Sequence, residues 1–97
     1  MFSVRVSDYQ RSPMLNICDA QILGTEIKQG ELVMSISKAY YGDRMVDAAE
    51  AEELLKKSSI INMVGEETVS LSVKIGIGSR DGVRMISGVP FLIVFKT

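Results

Sequence analysis

The sequence predicts an α+β fold, a mostly antiparallel sheet of about five strands with two helices packed on one face. Three observations lead there. Apolar and polar residues alternate near the start of the chain, as in strands with one buried face. A stretch dense in Ala, Glu, Leu and Lys follows in the middle, and β-formers return at the end. With 97 residues, 46% of them hydrophobic, there is material for one domain, residues 1–97, and one core.

Phe2, Val4 and Val6 alternate with Ser3, Arg5 and Ser7, which predicts a strand over residues 2–7. The polar stretch from Asp8 to Pro13 should turn the chain back into a second strand, Met14 to Cys18. A polar link containing Gly24 and Gly30 leads to a third strand over residues 31–37, ended by Tyr40-Tyr41-Gly42-Asp43. From Asp47 to Lys57 the composition is helical, with acids first and lysines last as the helix dipole favours. Asp47 and Glu50 have capping-box spacing, and Ala51, Leu54 and Leu55 form a narrow apolar stripe. Residues 66–75 carry a conflict. Val69, Leu71, Val73 and Ile75 alternate as in a strand, whereas Glu66 and Glu67 suit a first helical turn and Gly76 a helix stop; helix is the assignment made. Residues 83–86 and 89–95 read as two strands joined at Ser87-Gly88, with Pro90 marking an edge or a bulge.

Several kinds of chemistry are excluded by what is missing. Histidine is absent and Cys18 is the only cysteine, so disulfides within the chain, Cys/His zinc clusters and His-activated nucleophiles are ruled out. No cofactor is expected. Arg5 and Asp8 interrupt any leader-like apolar stretch, and the longest apolar run, Val89 to Phe95, is far short of the roughly 20 residues of a spanning helix. A cytoplasmic protein without a membrane anchor is the expectation, and a lone free thiol suits that compartment. The glycines of Gly76-Ile77-Gly78-Ser79-Arg80-Asp81-Gly82 are wrongly spaced for a dinucleotide fingerprint and read as a plain loop. Glu50, Glu52, Glu53, Glu66 and Glu67 read as a solvated helical face, Cys18 as a small buried residue, and the six methionines as core filler.

The net charge is -1, yet its distribution is uneven: residues 43–67 hold seven acids and three bases, and the rest of the chain eight bases and five acids. If Arg5, Arg11, Lys38, Arg80, Arg84 and Lys96 gather on one side of the sheet with Tyr40 or Tyr41 among them, that side suits phosphates and stacked bases. The alternative is that the bases are scattered and the tyrosines pack over the sheet edge.

Four segments, Cys18-Asp19 with Leu23-Gly24, Tyr40-Tyr41-Gly42, Ile61-Asn62-Met63-Val64-Gly65-Glu66 and Gly88-Val89-Pro90, resemble the small archaeal proteins grouped as domain of unknown function family 424. The likeness spans nearly the whole chain. It implies an uncharacterised protein, in some cases described as RNA-binding, with no enzyme activity assigned. Two departures stand out: Phe91 replaces a histidine that relatives tend to carry after the proline, and Ser70-Leu71-Ser72 replaces Ala, Glu and Leu, the composition that decides for helix over residues 66–75. Gly42 suits a turn with positive φ, Gly65 a tight join between helical pieces, and Asn62 a side chain tying down free backbone groups. On the functional alternative these residues bind RNA, together with Tyr40, Tyr41, Arg5, Lys38, Arg80 and Arg84. The leading expectation is therefore a non-enzymatic RNA-binding module. The others are a protein-interaction module or homodimer, in contact through the Val89 to Phe95 edge or the methionines, and an enzyme using carboxylates and a metal.

Overall fold

The N-terminal alternation becomes a hairpin of β1 (Phe2–Tyr9) and β2 (Ser12–Asp19) in the computed structural model, which describes residues 1–96. The hairpin is longer and its turn tighter than expected. Gln10 and Arg11 alone make the turn, at φ 50° and 69°, and Pro13 sits in the ladder opposite Asp8. A two-residue turn of this hand matches the twist of the flanking strands even without its usual glycine.

Among the described residues, the chain continues through β3 (Glu26–Gln29), β4 (Leu32–Ser35), the single-turn α1 (Lys38–Tyr41), β5 (Arg44–Val46), α2 (Ala48–Lys57), β6 (Ile60–Val64), α3 (Glu66–Lys74), β7 (Arg84–Ile86) and β8 (Val89–Phe95). Six strands form one sheet in the order β5-β1-β2-β6-β8-β7, and β3 with β4 forms a separate hairpin. Among the described residues only the β2–β6 pair is parallel. The α+β expectation holds, with two helices, α2 and α3, on one face and more strands than the sequence reading assigned.

The largest correction is β6. Gly65 was expected to join two helical pieces, but the residues before it form a strand in the middle of the sheet, and Gly65 joins that strand to α3. The second face of β6 carries apolar Ile60 and Val64 around Asn62, so the period-two signal is lost and the strand reads as a nearly continuous apolar run. β3, in the stretch expected to be a polar link, is a second addition, since it buries only Ile27. β8 lies between β6 and β7, but among the described residues only Phe91 pairs with both: Val89 and Pro90 pair with β7 alone and Leu92 to Phe95 with β6 alone, so the start of the strand does have one unladdered side. Pro90 is tolerated there because its backbone faces Gly65, just past the last residue of β6, and its carbonyl accepts the Gly65 N–H at 2.9 Å.

The α2 and α3 assignments agree with the structure. Asp47 caps α2 by accepting from Glu50 N at 2.9 Å. The cap of α3 comes from another element: the Asp19 carboxylate, at the end of β2, accepts from Glu67 N, Thr68 N and Thr68 Oγ1 at 3.1, 2.8 and 2.7 Å. Gly65 makes room for it. Its φ is 110°, and a Cβ there would lie 2.6 Å from both Asp19 oxygens. Thus Cys18-Asp19 and the Gly65-Glu66 end of its run, far apart in sequence, are two halves of one joint. At the other end of α3, Gly76 N donates to Val73 O and Ile77 N to Ser72 O, the pattern of a Schellman stop.

Under α2 and α3, Val4, Leu15, Ile17, Ile61 and Met63 pack with Ala51, Leu55 and Val69 as the main core. On the opposite face a smaller cluster, Cys18, Ile27, Ile36, Val64 and Ile86, lies beneath the β3–β4 hairpin, with Tyr41 and Phe91 against it. That cover stops partway along the strands.

Candidate functional site

Register places the residues of the partly covered face in rows. Arg5, Asn16, Asn62 and Ile93 are successive cross-strand partners, and the next row is Ser7, Met14, Ile60 and Phe95. Tyr9 stands beyond them, opposite Ser12. Tyr9, Met14, Ile60, Asn62, Ile93 and Phe95 line a shallow groove of about 200 Å³ on the bare half. Ile93 and Phe95 are 59% and 68% exposed, on the stretch of β8 that, among the described residues, pairs with β6 alone. Among the described residues, no strand position of the six-stranded sheet that points to this face is acidic.

Beside the groove, α1 is tied down through its carbonyls. Ser3 Oγ donates to Tyr41 O at 2.6 Å, Asn16 Nδ2 to Tyr40 O at 3.0 Å, and the Arg5 guanidinium to Ala39 O. Asn62 Nδ2 donates to Asn16 Oδ1 at 2.7 Å, so Asn62 joins this network from the next strand. The C-terminal carbonyls of a one-turn helix find no partners within it, and these side chains supply them.

Of the residues singled out in the sequence, the structure brings Arg5, Lys38, Tyr40 and Asn62 into this neighbourhood. Tyr40 is exposed, whereas Tyr41 turns inward against the second cluster, where burial foremost, and then Cys18, raises its hydroxyl pKa. Gly42 has φ −116°, not the positive value expected; it is needed because a Cβ would lie 2.7 Å from Lys38 Cα. Arg84 is on the same face as its partner Phe91, but on the far edge strand. Arg80 is elsewhere, paired with Glu66 at 3.1 Å and donating to Ser70 Oγ at 2.8 Å beside α3. Lys96 caps α2, its Nζ donating to Leu55 O and Lys56 O at 2.6 and 2.8 Å, and burial lowers its pKa. The bases therefore do not all converge.

Tyr9 and Asn16 were not foreseen, and Ile93 and Phe95 only within the Val89 to Phe95 edge of a protein contact. The Val89 to Phe95 run is apolar at every position, so nothing in it tells covered residues from bare ones. Cys18 is fully buried, and desolvation, with a smaller contribution from Asp19, pushes its thiol up to about 12, which keeps it protonated and unreactive. Glu50, Glu53, Glu66 and Glu67 are exposed, as a solvated face requires. Among the described residues no helix is long and apolar enough to cross a membrane.

This architecture defines a class: α+β proteins with one six-stranded sheet, two helices on one face and a hairpin over part of the other. Within it, the chain belongs to the DUF424 family of proteins of unknown function, whose model matches residues 7–97. It is similar to an uncharacterized conserved protein from Methanopyrus kandleri, whose crystal structure superposes with a TM-score of 0.78 at 21% identity, over 99% of this chain and 93% of that one. That likeness shows the fold. No curated protein matches the chain.

Proposed function

We propose that this protein is a non-enzymatic RNA-binding module that lays a single-stranded segment across the bare half of its sheet. The observation that carries the reading is the groove face itself, where Tyr9 and Phe95 stand exposed and, among the described residues, no strand position of the six-stranded sheet on that face holds a carboxylate. Exposed rings on an open sheet give bases a stacking platform; Arg5 stands in the same row as Asn62, and α1, which carries Lys38 and Tyr40, is tied to that row through Asn16. Acidic side chains of α2 and α3 lie on the opposite face, so a polyanion meets least repulsion here. The reading assigns the protein to the cytoplasm, where Cys18 remains reduced.

Fluorescence anisotropy with labelled single-stranded RNA over a salt series tests it. Binding should be strongest at the lowest salt and weaken as salt rises, by a slope of about −0.7 per phosphate contacted. Absence of binding at the lowest salt refutes the proposal. A second reading, a homodimer, draws on the exposure of Ile93 and Phe95. It can use the open face or the free edge of β8 from Leu92 to Phe95, which among the described residues pairs with β6 alone. Light scattering at high concentration separates the two, since a monomer removes the dimer.

A further inference from the structure

Asparagine amides are ambiguous in orientation until a neighbour that only donates or only accepts fixes them. The Tyr40 carbonyl is such a neighbour. Because it only accepts, Asn16 must present Nδ2 to it. Asn16 Oδ1 then faces the β6 side, where it accepts from Asn62 Nδ2. Asn62 in turn directs its Oδ1 away from Asn16, and among the described residues nothing donates to that oxygen. Its side chain lines the groove between Ile60 and Ile93, so a backbone carbonyl of α1, acting through two amides, sets an acceptor in an otherwise apolar floor.

Resting on the RNA reading above, we infer that the groove is a subsite for one unpaired base with an exocyclic amine at C6 of a purine or C4 of a pyrimidine, that is, adenine or cytosine. The amine donates to Asn62 Oδ1 while the ring packs against Phe95 and Tyr9. Guanine and uracil carry a carbonyl oxygen at that place, which in the same pose sets two acceptors face to face in an apolar surround; their neighbouring ring N–H would reach Asn62 Oδ1 only with the ring shifted from that pose. A groove of about 200 Å³ is below the range of drug-sized pockets and fits a single flat base. The occupant's charge also fits, because the sheet face around the groove has no carboxylate and Arg5 stands in the same row as Asn62.

The test is anisotropy at one low salt concentration with labelled oligo(A), oligo(C), oligo(U) and oligo(I), since hypoxanthine differs from adenine in having a carbonyl where adenine has its amine. Oligo(A) and oligo(C) should bind about tenfold more tightly than oligo(U) and oligo(I), as one well-placed polar contact to a base edge provides. Asn62→Leu should bring all four within about twofold while keeping the affinity for oligo(U). Equal binding of all four by the unaltered protein overturns the inference and leaves the RNA reading standing. Binding of none defeats both. A preference that survives Asn62→Leu also overturns it. Thermal melting followed by circular dichroism checks that the variant folds, and if it does not, adenine against hypoxanthine on the unaltered protein still decides.

Discussion

On the helix-covered face of the sheet, Val4, Leu15, Ile17, Ile61 and Met63 are all 1% exposed or less. On the other face the same strands present Ser3, Arg5, Asn16 and Asn62 beside Cys18 and Val64, and the neighbouring β8 leaves a bare strip at Ile93 and Phe95. The first face excludes water and makes the core; the second combines a small cluster, a set of polar ties to α1 and an open surface. Stability and exposure are thus assigned to opposite sides of one set of strands, and alternation along each strand keeps them separate.

Substitutions on the two faces should therefore differ in kind. Leu55→Ala, beneath the covered face, removes a fully buried side chain that the rigid strand layer cannot close over. Urea unfolding should show a loss of about 2–5 kcal/mol. Asn16→Ala, on the other face, strips partners from Tyr40 O and Asn62 Nδ2 at a place water reaches only in part. The expected loss is about 1–2 kcal/mol, with faster amide exchange at Tyr41 and Gly42 as α1 loosens. Phe95→Ala, at a largely exposed site, should change stability by no more than about 0.5 kcal/mol. A larger destabilisation would show that Phe95 belongs to the core and that the two faces are not divided as described.

Elements that follow local rules were legible in the sequence, and those that depend on distant partners were not. α2 announces itself through Asp47, its alanines and its trailing lysines, because capping and propensity act within a few residues. β6 escaped because apolar residues on both of its faces, Ile60 and Val64 opposite Ile61 and Met63, erase alternation, and β3 because a lid hairpin with one buried residue looks like any polar loop. Asn62 was noticed as a polar residue in an apolar run, but its partner Asn16 lies in another strand, 46 residues earlier. The charge imbalance was visible as well, yet the partners of Arg80 and Lys96 are chosen by tertiary contacts, and these take both bases away from the open face. Asp19 and Gly65 show the same limit: each is suggestive alone, and only the assembled joint explains both.

The single parallel pairing, β2 against β6, is also a seam in folding. The β1–β2 and β7–β8 hairpins each close locally, but the seam joins Met14 to Ile60 and Cys18 to Val64, contacts that no local event can form. Asn16 and Asn62 come from its two sides, so the groove floor is assembled only when the halves of the chain meet. A chain released before Ile60 emerges has no such floor, and its strand β2 presents an unpaired edge.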